Sequence, residues 1–171
     1  MLTETKKKKH FFTPGAITPT QIAESISKHS EKKNIGAHDI FLGQVRADVT
    51  NGKTVQSITY SAYDDMAEKE IENIRENVIS KYQLTCAHVL HSLGNVKAGE
   101  ISLFVFLSSP HRNAAMDACR EMVELIKKNV PVFGKEIFED DSYRWKENAA
   151  SVLPKELHDT GIKITGNPAK S

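Results

Sequence analysis

The chain has 171 residues, of which 39% are hydrophobic and 26% are charged, and this composition predicts one globular domain with its own core. A formal net charge of +1 argues against a protein that binds nucleic acid or an anionic membrane through a broad basic surface. Because the sequence has neither an apolar run of about 18 residues nor an apolar segment behind its basic start, we expect a cytoplasmic protein.

The two ends of the chain differ from its middle in composition. Residues 1–14 are rich in lysine, and we predict a disordered basic lead there. The domain is expected at residues 15–150. Residues 151–171 contain proline and glycine without a clear hydrophobic period, which predicts a tail that is partly ordered at most.

The first elements of the domain are a helix and a strand. Thr18, Pro19 and Gln21 supply a capping hydroxyl, a proline for the first helical position and the partner of a capping box. Residues 36–45 are mostly apolar and predict a largely buried strand. Gly43 within that strand indicates a bulge or a close backbone approach.

Arg46 follows the predicted strand directly. Strand ends often carry ligand sites in layered α/β proteins, so Arg46 is either a ligand-binding residue or an ordinary surface arginine. Asn51 and Gly52 then predict a tight turn. Residues 55–63 alternate between apolar and polar side chains, which predicts a half-buried strand.

A second helix is predicted after this strand, with Asp64 or Asp65 as its cap. Its apolar residues recur at helical spacing and define an inner face: Ala67, Ile71, Ile74 and Val78.

Residues 84–93 predict a strand that leads to Gly94 and Asn95, and a strand from Ile101 is expected to return beyond Gly99 and complete a hairpin. His88 and His91 lie three residues apart on it. Side chains at that separation point to opposite faces of a strand, so this pair does not chelate and we predict no metal site.

Residues 103–136 hold most of the recognisable chemistry. Residues 103–107 are continuously apolar and predict a buried strand. Ser109 can cap the helix that follows, and Pro110 suits its first position. The inner face of this helix is expected to carry Ala115, Cys119, Met122 and Ile126.

Cations occupy both ends of this helix. His111 and Arg112 lie in its first turn, where a cation costs up to about 1 kcal/mol unless an anion binds beside it, so they are candidate anion ligands or solvated residues. Lys127 and Lys128 lie in the last turn, where cations are favoured. Sixteen residues separate His111 from Lys127, about 24 Å along the axis, so one small ligand contacts both ends only if two chains supply them. A symmetric dimer is the simplest such arrangement.

Cations also follow the helix, at Lys135, Arg144 and Lys146, and they flank the single tryptophan, Trp145. This indole is either a ligand platform or a packed side chain.

The only cysteines, Cys86 and Cys119, lie in apolar segments and predict buried free thiols. Neither has a neighbouring base in the sequence, so sulfur chemistry would need sulfur from a partner or cofactor.

Six motifs make the sequence similar to the large, catalytic subunits of molybdopterin synthase. They are GQVR at residues 43–46, YDDMAEKE at 63–70, HSLGNVKAGE at 91–100, SSPHR at 108–112, KKNVP at 127–131 and RWKEN at 144–148. The resemblance covers roughly residues 36–148 and leaves out both tails.

The resemblance implies an α/β hammerhead-type fold, that is, a single α+β domain with a mixed or antiparallel sheet and packed helices. It implies a homodimer that becomes a heterotetramer by binding two small ubiquitin-like sulfur carriers, each with a C-terminal Gly-Gly. The reaction would transfer sulfur from the carrier's thiocarboxylate to cyclic pyranopterin monophosphate, forming the dithiolene of molybdopterin in molybdenum cofactor biosynthesis. No resident cofactor is expected, since the carrier supplies the sulfur.

Matching the motifs implies roles for individual residues. Lys127 would lie at the carrier's C-terminus as a catalytic residue. The substrate's phosphate and pterin would be bound by a set of basic side chains: Arg46, His111, Arg112, Lys128 and Arg144.

One position departs from the resemblance. The family usually has two basic residues after Pro-x-Trp, and here Gly134 stands at the first, functionally important position. Lys135 stands at the second. We hypothesise that Lys135 acts in catalysis in place of the missing lysine, through the freedom that Gly134 gives the chain.

Lys127 suits either of two roles, stabilisation of a developing oxyanion or donation of a proton. A different class of function also fits the residues: a non-catalytic regulatory module that binds phosphate or a nucleotide, or a scaffold that binds the carrier.

Overall fold

The computed structural model describes residues 10–146. The predicted tail at residues 151–171 and most of the predicted lead lie outside the described residues. The elements are β1 (Phe12–Pro14), α1 (Pro19–Ser27), β2 (Ala37–Gln44), β3 (Val49–Thr50), β4 (Lys53–Ala62), α2 (Asp64–Tyr82), β5 (Cys86–Lys97), β6 (Ile101–Ser109), α3 (Arg112–Asn129), β7 (Val132–Phe138) and β8 (Tyr143–Trp145).

Six of these strands form a continuous sheet in the order β2, β6, β5, β4, β7 and β8, while β1 adds to β5 and β3 adds to β4. The β1 and β5 pair is parallel and the other pairs are antiparallel. The prediction of a single α+β domain with a mixed sheet is therefore confirmed.

The main core lies between the sheet and helices α2 and α3. Both predicted apolar stripes are buried there, and the 103–107 stretch lies in β6, which is paired on both sides and buried on both faces. Ile17, Phe104 and Phe106 form a smaller cluster on the other face, with Ile22 of α1 packed against it.

Helix α1 begins as its sequence predicts. The Thr18 side chain accepts a hydrogen bond from the Gln21 amide, and the Gln21 side chain accepts one from the Thr18 amide. No residue of α1 is fully buried, however, and Ile26 is 41% exposed. This helix is therefore held to the sheet by few contacts.

Strands β5 and β6 pair antiparallel as the predicted hairpin requires, but β5 is longer than predicted. It does not end before Gly94, which has φ of +81°, but continues to Lys97. Its first half pairs with β6 and its second half pairs with β4. The reversal into β6 occurs at residues 98–100.

Three further predictions are wrong in their details. Helix α3 begins at Arg112 rather than Pro110, and the Ser109 hydroxyl accepts from the His111 amide instead of capping the first turn. Strand β2 is half exposed, because it lies at the sheet edge. Asp64 and Asp65 lie in the first turn of α2, since Tyr63 is its N-cap.

The ordered domain also begins earlier than residue 15. Phe11 is buried in the main core, and β1 pairs with β5 beside His91. Pairing with a distant strand thus orders residues 11–14, which the local composition assigns to the disordered lead. Among residues 10–146, no helix is long and apolar enough to cross a membrane.

Gly36 offers a test of the packing that joins β2 to the start of α3. Its amide donates to the Ser109 carbonyl at 3.0 Å, and a Cβ on Gly36 would lie 2.2 Å from the Pro110 carbonyl oxygen. Gly36→Ala should therefore lower the free energy of unfolding by about 1–3 kcal/mol, measured by urea denaturation. Gly43→Ala is the matched comparison, with a smaller expected loss, because its nearest contact would be 3.1 Å. An unaltered stability of Gly36→Ala would contradict this packing.

Candidate active site

A cavity of about 330 Å³ lies where the end of α3 meets the sheet. Its polar lining comes from different elements of the fold: Gln44, Tyr60, His91, Ser102, Lys127 and Lys146. Two glycines, Gly43 and Gly134, also line it, and Gly134 is buried. The cavity combines cations with hydroxyl groups, a combination that suits an anionic ligand.

Lys127 brings a positive charge to this cavity from the last turn of α3. Its Nζ lies 5.6 Å from the centre of the Phe41 ring, close enough for a cation–π contact. Of the predicted site residues, Lys127 is the one that lines this cavity.

His91 forms a buried part of the same lining. Its Nδ1 lies 2.8 Å from the Ser92 carbonyl oxygen, and because a carbonyl only accepts, Nδ1 carries the proton. Burial lowers the pKa of His91, the Lys127 charge lowers it further, and the bond to Ser92 opposes them. The imidazole is therefore neutral at pH 7, with its lone pair on Nε2.

Tyr60 lies beside His91, with the two rings nearly perpendicular and their centres 5.1 Å apart. The Tyr60 hydroxyl donates to Ser102 Oγ at 3.3 Å, and Ser102 donates to the Gly43 carbonyl at 3.4 Å. Burial raises the pKa of Tyr60, so its hydroxyl stays protonated and can donate. Sequence reasoning missed Tyr60, His91 and Ser102 as lining residues, since only the pairing of β4, β5 and β6 brings them together.

Lys146 reaches the cavity across Gly134. The Lys146 amide donates to the Gly134 carbonyl at 2.8 Å, and a Cβ on Gly134 would lie 3.3 Å from Lys146 Cδ. The Lys146 side chain therefore occupies space that a side chain at position 134 would need.

The Lys135 side chain does not line this cavity. Alternate residues of β7 point to opposite faces, and the cavity receives Val132 and Gly134 but not Lys135. The Lys135 ammonium lies 4.8 Å from the Tyr143 ring centre and 5.9 Å from that of Trp145. Trp145 is thus a half-exposed platform for a cation of its own chain.

His111 and Arg112 line a second cavity of about 400 Å³ with Gly36, Pro110 and Asn113. This cavity is at the start of α3, whereas Lys127 is at its end. Within one chain, the structure therefore separates these two groups of predicted site residues, as the length of the helix requires.

The remaining predicted site residues lie outside both cavities. Arg46 is exposed and pairs with Asp48 at 3.0 Å, and Lys128 is exposed in the last turn of α3. Arg144 donates from Nε at 3.0 Å and from Nη2 at 2.6 Å to one carboxylate oxygen of buried Glu136.

The cysteines are free within the described residues, with Cys119 buried and Cys86 partly buried. Burial raises the pKa of Cys119 to about 12, and the nearby Asp39 carboxylate adds to the effect. The Cys119 thiol stays protonated and is a poor nucleophile.

The fold and the cavity define a class: an α+β domain with a cationic site at the end of its third helix. Residues 16–129 match the family described as MoaE protein, and the chain belongs to that family.

Named relatives support this membership. The chain is 39% identical over 125 residues to a molybdopterin synthase catalytic subunit of Bacillus subtilis, covering 72% of this chain and 79% of the relative. It is 36% identical over 134 residues to one of Pyrococcus abyssi, covering 78% and 88%. A Drosophila melanogaster relative of the same name is 38% identical over 138 residues, covering 79% of this chain, which spans only 37% of that protein's length.

Solved structures share the fold. Molybdopterin synthase from Staphylococcus aureus aligns with a TM-score of 0.70 and 30% identity, covering 80% of this chain and 95% of its own. A complex of subunits 1 and 2 of the molybdopterin-converting factor from Helicobacter pylori contains a chain that aligns with a TM-score of 0.68 and 20% identity, covering 80% and 88%.

The lowered pKa of His91 makes a prediction about stability. As the pH falls below about 6.5, the unfolded chain binds a proton at this position before the folded chain does, so stability present at neutral pH is lost. His91→Gln should lose less unfolding free energy than the original protein between about pH 7.5 and about pH 5, measured by urea denaturation. Equal losses in the two proteins would show that His91 is not held neutral by the fold.

Proposed function

We propose that the chain is the catalytic subunit of a molybdopterin synthase. It takes sulfur from the thiocarboxylated C-terminus of a small ubiquitin-like carrier and transfers it to cyclic pyranopterin monophosphate, forming the dithiolene of molybdopterin. The observation that carries this proposal is the cavity containing Lys127, in a chain that belongs to the MoaE protein family. The names of the relatives and the two-subunit complex from Helicobacter pylori support it.

The cavity has the properties that a carrier's Gly-Gly tail needs. Such a tail has no side chains at its end, so it enters a narrow cleft as an extended backbone. Gly43 adds no side chain to the wall, and Ser102 and Tyr60 line it with hydroxyl groups. In this proposal the negative thiocarboxylate binds beside the Lys127 ammonium.

Lys127 also suits the charge that develops during transfer. Once the carrier's sulfur is bonded to the substrate as a thioester, water attacks the acyl carbon and a tetrahedral oxyanion forms, which a nearby cation stabilises. The oxyanion collapses to the carrier's carboxylate and leaves the sulfur on the substrate as a thiolate. Proton donation by Lys127 is the other role that its position allows. Neutral His91, beside Lys127, is a hydrogen-bond acceptor that can orient a donor in the cleft.

The substrate's phosphate needs cations that this cleft does not supply alone. We propose that the start of α3 from a second protomer brings His111 and Arg112 beside the Lys127 cleft, which requires a homodimer and, with two carriers, a heterotetramer. Arg46, Lys128 and Arg144 remain the predicted contacts to phosphate and pterin. A cytoplasmic location remains a prediction.

Lys146 is a stronger candidate than Lys135 to replace the lysine missing at position 134. Its side chain covers Gly134 and lines the cavity, whereas Lys135 packs against Tyr143 and Trp145. We therefore propose that Lys146 supplies the second ammonium group of the cleft from the neighbouring chain segment.

The alternative is a non-catalytic module that binds phosphate at the start of α3 or binds the carrier as a scaffold. The separate cavity beside His111 and Arg112 favours the phosphate-binding version. The decisive experiment mixes the purified protein with thiocarboxylated carrier and cyclic pyranopterin monophosphate and measures the dithiolene product by mass spectrometry. Product at catalytic yield supports the synthase, whereas binding without product supports the module.

Lys127→Ala should lower turnover about 100-fold or more, because one fixed group that stabilises the transition state is removed. Lys69→Ala is the control, since it removes an exposed lysine of α2 that lines neither cavity. Turnover is measured by product mass, and circular dichroism and sedimentation check fold and assembly. Retained sulfur transfer in Lys127→Ala would refute its catalytic role.

Lys146→Ala and Lys135→Ala separate the two candidates for the missing lysine. We expect Lys146→Ala to lower turnover by roughly 10-fold or more and Lys135→Ala to leave it near the original rate, measured at saturating carrier. A large loss in Lys135→Ala alone would restore the hypothesis that Lys135 is catalytic.

A further inference from the structure

Three side chains that commonly bind metals meet on the face of the sheet opposite α2 and α3. His29 lies in the turn after α1, and Cys86 and His88 lie on β5. One ligand atom from each residue lies within 4.8 Å of the other two. Cys86 and His88 are two residues apart on a strand and so share a face, and 59 residues separate His29 from His88.

The backbone fixes the proton on His29. Its Nδ1 lies 2.6 Å from the Ser25 carbonyl oxygen, which only accepts, so Nδ1 carries the hydrogen. The Nε2 lone pair therefore points away from α1, towards His88 Nε2 at 3.0 Å. A carbonyl that holds one imidazole nitrogen while the other faces a cluster is the arrangement commonly found behind metal-bound histidines.

Positive side chains surround the three residues. Arg75, Lys32 and Lys28 act electrostatically on His88. Their charges oppose an added divalent ion. A thiolate at Cys86 would offset one positive charge, which makes the cysteine essential to the site.

We propose that His29, Cys86 and His88 form a binding site for a divalent cation of the zinc class. One thiolate and two imidazoles are donors that zinc prefers, and bonds of about 2.0–2.3 Å place tetrahedral ligands within a few ångströms of one another. The rings of His29 and His88 are nearly perpendicular, with centres 4.8 Å apart. His88 is exposed, so solvent can supply the fourth ligand.

Binding at this site has a defined proton balance. Without metal, His88 Nε2 donates its hydrogen to His29 Nε2. When the cation binds, that hydrogen moves to His88 Nδ1 and the Cys86 thiol releases one proton to solvent, so each cation displaces one proton.

The site would hold α1 to the sheet. Helix α1 has no fully buried residue, and His29 directly follows it, so a bond from His29 through the cation to β5 would fix this weakly packed element. The cavity with Lys127 lies on the other face. The cation therefore stabilises the fold and takes no part in sulfur transfer.

The test uses untagged, chelator-treated protein titrated with Zn²⁺ by calorimetry and with Co²⁺ by absorbance. We expect one tight equivalent of Zn²⁺, a higher Tm, and a thiolate-to-cobalt charge-transfer band with tetrahedral ligand-field intensity. Cys86→Ser should abolish the charge-transfer band, and His88→Gln should weaken binding at least about 10-fold, the lower end of the loss seen when metal-site partners are removed.

Two controls are available in the chain. Cys119→Ser removes the other cysteine, and His38→Gln removes a neighbouring histidine whose Nδ1 lies 2.7 Å from Ser108 Oγ, so both should bind Zn²⁺ and Co²⁺ like the original protein. The proposal is overturned if the original protein binds no stoichiometric Zn²⁺, or if Cys86→Ser and His88→Gln, shown to be folded by circular dichroism, bind it unchanged.

Discussion

Strand β6 is the element on which the rest of the structure depends. It is paired with β2 on one side and β5 on the other, and its residues from Ser102 to Ser109 are buried. Since both its edges and both its faces are covered, its end fixes where α3 begins. The length of α3 then fixes where Lys127 meets β7. Both cavities are thus positioned by one strand and the helix that follows it.

Local signals in the sequence were sufficient for much of this architecture. The capping box of Thr18 and Gln21 and the apolar stripes of α2 and α3 each depend on residues within a few turns of one another. The bulge next to Gly43 and the turn at Asn51 and Gly52 are equally local, and the structure has both. Each of these features is determined by backbone propensity and hydrophobic periodicity, which a single sequence contains.

The errors and omissions have a common cause, which is pairing between distant segments. Phe11 is ordered because β1 pairs with β5. Gly94 lies within β5, whose first half pairs with β6 and whose second half pairs with β4. Lys146 reaches the cleft only because β8 folds back onto β7. His88 and His91 point to opposite faces of β5, as their spacing predicts, and His88 contacts His29 instead. The spacing of residues along one strand can exclude His91 as a partner of His88. It cannot identify His29, which is 59 residues away in the sequence.

The pair formed by Glu136 and Arg144 has a consequence for the proposed contact between Arg144 and a phosphate. The Glu136 side chain is 6% exposed and its carboxylate accepts two hydrogen bonds from the guanidinium, whereas Arg144 is 49% exposed and has further N–H donors. A phosphate bound at Arg144 would contact a guanidinium that is already paired with the Glu136 carboxylate. It would therefore gain hydrogen bonds more than net electrostatic attraction. Arg144 is therefore suited to orient an anion that other cations attract. Replacing Arg144 would also remove the ion-pair partner of the buried Glu136 carboxylate. A loss of activity in such a variant would therefore have two causes, weaker orientation of the substrate and weaker pairing of β7 with β8.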